Sequence, residues 1–217
     1  ELPNAPLAKQ IPKNSTIHDD MRVDEFYWLN DRENPEVIDY LNKENDYYNA
    51  HTAHTKDFQV SLFEEMKSRI KEDDSSVPYK YNGYWYITKF EKGKDYPIYI
   101  RKKESLTASE ELLFDCNEMA KGHSYFRLVG LNISPNNHMI SYGIDTTGRR
   151  QYKLQIKDLK TDKVFKEEIS ITTGGSTWAN DNKTLFYTLK DETTLRSESI
   201  YKHLLNTDPK LDELVYK

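Results

Sequence analysis

Acyl transfer needs a serine or cysteine nucleophile beside a base, and the sequence offers few places for one. Ser176, in Thr173-Gly-Gly-Ser-Thr-Trp178, is the only glycine-flanked serine. A nucleophile elbow requires glycine two residues past the serine and a helix after it. Trp178 stands at that position and a strand pattern follows, so the segment reads as a loop between repeating units. Cys116, the single cysteine, sits beside Asp115 and Glu118. Their negative charge raises a thiol pKa and suppresses the thiolate, which leaves a small buried residue as its role. One cysteine also excludes a disulfide framework and any multi-cysteine metal site.

Metal and phosphate chemistry fare no better. His51 and His54 are three apart on a helical stretch and share a face. No His-Glu-x-x-His pattern and no third ligand stands nearby, so they read as solvated surface residues. His18, His123, His138 and His203 are scattered among strands and turns and read as structural. Glu72-Asp73-Asp74 lacks the spacing and glycine of an EF-hand loop and reads as a solvated linker. Gly174-Gly175 is not followed by Lys-Ser or Lys-Thr, which excludes a phosphate loop. The residues therefore point to no catalytic, metal-binding or cofactor-binding position.

Two features invite a binding role. Arg149-Arg150 follows Gly148 and places two cations at a hairpin tip, where they could meet a carboxylate on another domain. A solvated turn is the plainer alternative, since exposed charges are ordinary. The sixteen tyrosines could form a binding surface, but Tyr86, Tyr142 and Tyr187 recur at matching positions. That recurrence favours core packing with a hydrogen-bonded hydroxyl.

The elements that must carry these residues follow from composition. The chain has 217 residues, with 31 Lys+Arg against 36 Asp+Glu, a net charge of −5, and 36% hydrophobic residues. This describes a soluble chain of one or two domains with enough apolar material for a core. No window reaches the 18 or so apolar residues of a membrane span, and a mildly acidic balance leaves no footprint for nucleic acid. Residues 1–76 hold 9 Lys+Arg and 17 Asp+Glu, net −8, while all eight glycines lie beyond Ser76. Glycine serves turns, so helices come first and strands after.

Pro3, Pro6 and Pro12 predict an extended arm. Asn34-Pro35-Glu36 predicts a helix start, with Val37, Ile38, Leu41 and Tyr48 on one face. Phe58, Leu62, Phe63, Met66 and Ile70 form a second stripe, which Thr52 or Thr55 could start. Periodicity breaks over Lys71–Pro78. Beyond it, Tyr84–Phe90 with Tyr96–Lys102, Met139–Asp145 with Gln151–Asp158, and Thr184–Lys190 with Ser199–Leu204 alternate as strand pairs. Glu111–Asp115, Val164–Ile171 and Leu211–Tyr216 fit as the fourth strand of each unit, and Asn-containing turns precede each tyrosine anchor. Four-stranded units repeating every 45 to 56 residues predict propeller blades. Three blades cannot close a ring, the chain lacks an initial Met, and it stops after a fourth-strand pattern. A fragment of a longer polypeptide is therefore expected.

Several strings in this frame resemble one family. Asp24-Glu-Phe-Tyr-Trp-Leu-Asn-Asp31, Arg32–Ile38, Ile70–Pro78 and Gly83-Tyr-Trp-Tyr86 resemble the N-terminal part of the prolyl oligopeptidase family, nearest its oligopeptidase B (protease II) branch. Met119–His123, Ile133–Asn136, Gly148-Arg-Arg-Gln-Tyr152 and Thr177–Tyr187 continue the resemblance, which runs from about Ala5 to Lys217. It implies a serine peptidase that cleaves short peptides after Lys or Arg, built from a seven-bladed propeller and an α/β-hydrolase domain. The catalytic Ser, Asp and His lie in the C-terminal hydrolase part of that family, and no position here matches their motifs. Residues 1–76 would pack on the hydrolase domain, and residues 77–217 would form about the first three of seven blades.

On this reading the fold class is mainly β with an N-terminal helical segment, a partial seven-bladed propeller. The propeller would exclude folded proteins from the active site, the 217-residue chain alone would be inactive, and Arg149 and Arg150 would contact the hydrolase domain. The partners implied are short basic peptides and that domain of the same polypeptide, with no cofactor, metal, nucleic acid or membrane. Bacterial cytoplasm is the implied compartment, or periplasm if a signal sequence has been removed. The rival from another class is a stand-alone β-propeller module that binds a peptide or protein without chemistry.

Overall fold

A computed structural model describes residues 2–217 and divides the chain into two compact units, one running to Lys71 and the other spanning Glu72–Lys217. In the first unit an irregular arm leads into a hairpin, β1 (Lys13–Ile17) and β2 (Asp20–Asp24). His18 and Asp19 turn it with φ of 51° and 63°, the left-handed pair of a type I′ turn. The sequence predicts only an extended arm here. Every residue of both strands is exposed, so no apolar alternation marks them. The Trp28 indole donates to the Lys9 carbonyl at 2.8 Å and ties the arm down.

Helix α1 (Pro35–Thr52) begins as its sequence predicts: Asn34 Oδ1 accepts the Glu36 amide at 2.9 Å and Pro35 fills the first turn. A short 3-10 link, Ala53–Thr55, leads to α2 (Lys56–Ser68). Thr55 opens α2 without capping it; its hydroxyl donates to the Thr52 carbonyl and accepts from Gln59. Val37 is buried, but Ile38, Leu41, Tyr48, Phe58, Leu62, Phe63 and Met66 are each at least 40% exposed.

The second unit is a run of antiparallel meanders. The first contains β3 (Asp74–Ser75) and β4 (Tyr79–Tyr81), which follow one another along β5 (Tyr84–Phe90). β6 (Ile98–Lys103) and β7 (Glu110–Asp115) complete it, and a single helical turn, α3 (Cys116–Met119), leads on. Then come β8 (Arg127–Ile133), β9 (Met139–Asp145), β10 (Tyr152–Asp158), β11 (Ile169–Trp178), β12 (Thr184–Lys190), β13 (Ser197–Leu204) and β14 (Glu213–Tyr216), paired in chain order. β11 belongs to two meanders at once. Thr172 and Ile169 face Tyr152 and Leu154 of β10, while Ser176 and Trp178 face Tyr187 and Leu185 of β12.

This corrects the reading of Thr173–Trp178 as a loop: the segment is the inner strand of the third meander. It also moves the preceding strand, which starts at Ile169 instead of Val164; Val164 makes one isolated bridge to Lys157. Glycine misleads because here it serves contact between sheets instead of a turn. β11 packs on β8 and β9, and a methyl group added to Gly143 would lie 2.6 Å from the Gly174 carbonyl oxygen. Gly174 itself has φ of +86° and rests on Val129 and Tyr152.

The tyrosines behave largely as their spacing predicts. Tyr86, Tyr142 and Tyr187 are all buried, on β5, β9 and β12. Their hydroxyls are less uniform than expected. Tyr187 donates to Asp212 Oδ2 at 2.9 Å, whereas among the described residues the buried Tyr86 hydroxyl finds no partner in good hydrogen-bond geometry, with Arg101 beside it. Asp212 Oδ1 also lies 2.7 Å from Nδ1 of the fully buried His203, so one carboxylate pins the start of β14 to β12 and β13.

Candidate functional site

In an up-and-down four-stranded meander the hairpins joining second to third strands lie on the rim where the chain enters the first strand. The tips between β5 and β6, β9 and β10, and β12 and β13 therefore share one rim. Asp73, just before β3, reaches it directly: its Oδ1 accepts the Lys92 amide of the first tip at 2.7 Å.

The β9–β10 tip carries Arg149 and Arg150, and a buried carboxylate builds it. Asp145, 1% exposed, accepts from the Thr147 amide (2.8 Å), the Thr147 hydroxyl (2.9 Å) and the Gly148 amide (3.0 Å) through Oδ1. Its Oδ2 accepts from the Arg150 amide at 2.8 Å. Burial alone would raise the Asp145 pKa, but the bonds from Thr147, Arg150 and Gly148 outweigh it and hold the carboxyl below its usual range. Gly148 and Arg150 take φ of 75° and 57°, the reversal that lets the short loop close. Lys190 of the third meander donates to the Arg150 carbonyl at 2.6 Å. Arg127 faces Asp145 across the β8–β9 ladder.

Arg149 and Arg150 are both exposed residues of the tip. A pre-shaped loop presenting two planar cations, with Arg127 and Lys190 close by in the sheet, suits carboxylate binding. It supplies no nucleophile and no base. Asp145 was missed in the sequence, although Asp-Thr-Thr-Gly is an Asx-turn pattern that announces it. The same pattern shapes Asp181 with Lys183 and Thr184, and Asp191 with Thr193 and Thr194.

The remaining candidates are structural in their surroundings. The Ser176 hydroxyl donates to Ser141 Oγ at 2.7 Å, with no histidine beside it. Cys116 is buried, and burial first, with Asp115 second, pushes its thiol up to about 12. His51 Nε2 lies 3.0 Å from the Pro3 carbonyl and His54 Nδ1 lies 3.1 Å from the His51 carbonyl. Among the described residues no three His, Cys, Asp or Glu side chains converge as metal ligands would.

Successive four-stranded antiparallel meanders, the second and third joined through the shared strand β11, define consecutive blades of a β-propeller. The chain belongs to the prolyl oligopeptidase family: residues 6–217 match the family description "Prolyl oligopeptidase, N-terminal beta-propeller domain". It is 38% identical to dipeptidyl aminopeptidase BI of Pseudoxanthomonas mexicana over 97% of its own length and 32% of that protein's. It is 31% identical to protease 2 of Moraxella lacunata, over 98% of this chain and 32% of the relative. Among solved structures it superposes on oligopeptidase B from Leishmania major with a TM-score of 0.89 at 29% identity, covering 99% of this chain and 33% of that one. The chain thus spans about a third of the length of the relatives it matches.

Proposed function

We propose that this chain is the substrate-gating N-terminal part of a serine oligopeptidase that hydrolyses short peptides after Lys or Arg. The observation that carries the reading is the family match across residues 6–217, which takes in all three blades. The catalytic Ser, Asp and His would lie in a hydrolase domain of the same polypeptide, with the propeller admitting flexible peptides and excluding folded proteins. The net charge of −8 on residues 1–76 would draw cationic peptides inward, an effect that salt screens. Arg149 and Arg150 would hold carboxylates of the hydrolase domain and bias its opening and closing.

The test is a comparison of the full-length polypeptide with this 217-residue chain on Lys- and Arg-based reporter peptides. Activity in the former, its loss with a serine-directed inhibitor, and none in the latter is the expected result. Robust hydrolysis by the 217-residue chain would overturn it. Turnover of a dibasic peptide should fall several-fold between low and high ionic strength; a flat response removes the steering argument. Replacing Arg149 and Arg150 together by Ala should change turnover or closure kinetics without altering the propeller's fold, and unchanged kinetics would remove the latch.

The 38% identity to a protein named dipeptidyl aminopeptidase supports a second reading, the release of dipeptides from peptide N-termini. Matched substrates with free and blocked N-termini separate the two, since only an endopeptidase cleaves both.

A further inference from the structure

The turn between first and second strands recurs in each blade as Tyr81-Asn82-Gly83, Ser134-Pro-Asn-Asn137 and Ala179-Asn-Asp-Asn182. Asn137 and Asn182 sit at the same place in four-residue turns and Asn82 opens a two-residue one, with φ of 62°, 60° and 46°. Asparagine is among the few residues that tolerate this left-handed conformation, so turn geometry alone would account for its presence. The side chains, however, reach beyond their own turns, although Asn182 Nδ2 also donates to the Asn180 carbonyl at 3.3 Å within its own. Asn82 Nδ2 donates to the Pro135 carbonyl at 2.6 Å and to Asn137 Oδ1 at 3.2 Å, crossing from the first blade to the second. Asn137 Nδ2 returns a bond to the Asn82 carbonyl at 3.0 Å. Asn182 Oδ1 of the third blade accepts the Asn136 amide of the second at 2.7 Å. Backbone partners fix which end of each amide does the bonding. Buried Arg101 of the first blade adds a bond from Nη1 to the Asn137 carbonyl at 3.0 Å, on the same seam.

We infer that the left-handed asparagines are a blade-to-blade latch along the rim opposite the hairpin tips. Each turn is shaped by the backbone conformation of its asparagine and joined to its neighbour by that residue's side chain. The middle turn takes part in both links, so the three blades are held on this rim as one body. The latch is also directional in chemistry. The first seam depends on the donor of Asn82, the second on the acceptor of Asn182. This inference stands apart from the peptidase reading, because it concerns how blades are joined and not what the whole protein cleaves.

The directionality makes the test decisive. Amide hydrogen exchange on the full-length protein would compare Asn82→Asp, Asn182→Asp and Asn182→Gly. Aspartate tolerates the left-handed turn and keeps an acceptor but has no donor; glycine tolerates the turn and has neither. Asn82→Asp should raise exchange at least tenfold at the Asn137 amide, whose turn Asn82 holds across the seam through the Pro135 carbonyl, as well as in its own turn, while the Asn136 amide, bonded to Asn182, stays protected. Asn182→Asp should leave the Asn136 amide protected within twofold, and Asn182→Gly should expose it at least tenfold. Equal behaviour of the two aspartate variants, or an Asn136 amide still protected in Asn182→Gly, would reduce the asparagines to turn residues and overturn the latch.

Discussion

Asp145 shows how much a single buried carboxylate organises. Four bonds converge on it, and leaving their donors unmet should cost about 1–3 kcal/mol, so Asp145→Ala should lower the melting temperature and loosen residues 146–150. Its depressed pKa fixes the sign of a pH effect. The stability it lends is fully present above the unfolded-state pKa of about 3.9 and is lost as pH falls through the lower folded-state value. Acid titration of unfolding should therefore show a steeper loss below about pH 4 in the wild type than in Asp145→Asn. Cys116 makes the complementary case. With its thiol pushed up to about 12, it should resist alkylation at neutral pH in the folded chain and label readily once unfolded. Rapid labelling of native protein would contradict its burial. The inertness of Cys116 was legible in the sequence, though the neighbouring charges from which it was inferred are secondary to burial. The hydrogen bonds of the tyrosines were not legible, because a hydroxyl's partner depends on what distant segments bring, as the Asp212 turn does for Tyr187.

Strands rich in tyrosine and β-branched residues announce themselves, and those punctuated by glycine do so less well. β5, β9 and β12 begin and end at the residues their sequences predict, Tyr84–Phe90, Met139–Asp145 and Thr184–Lys190. β8 and the second half of β11 escaped notice, since Gly130, Gly174 and Gly175 read as turn punctuation. The contact between β9 and β11 makes this testable. Gly143→Ala would drive a methyl group into the Gly174 backbone and should cost roughly 1–3 kcal/mol as overpacking. Gly175→Ala, with nothing within 4 Å of the added carbon, should be close to neutral. Thermal melts of the two variants check the difference, and similar losses in both would mean that the strands can slide apart cheaply. The helices tell a related story. The cap at Asn34 was legible because it is local, whereas the β1–β2 hairpin carries no apolar periodicity and left no trace beyond its turn.

At the scale of the molecule, apolar surface outweighs what the chain covers by itself. Both helices present Leu41, Tyr48, Phe58, Phe63 and Met66 to solvent, and the edge strand β14 exposes Leu214, Val215 and Tyr216. Exposed patches and open strand edges promote association. The 217-residue chain should show an apparent mass that rises with concentration in sedimentation, and Phe58→Glu with Phe63→Glu should lower it. A monomer at all concentrations would mean that these faces need no partner.

Strand β11 leaves a last mark on how such a molecule could be cut or rebuilt. Because Ile169–Trp178 is one unbroken strand that ends one blade and begins the next, no boundary in the sequence separates them without severing a ladder. A protease nick near Gly174 would undo two sheets in a single event. A gene duplication that copied the second or third blade would have to break inside this strand, so at this seam the heritable module and the folded sheet are offset from each other.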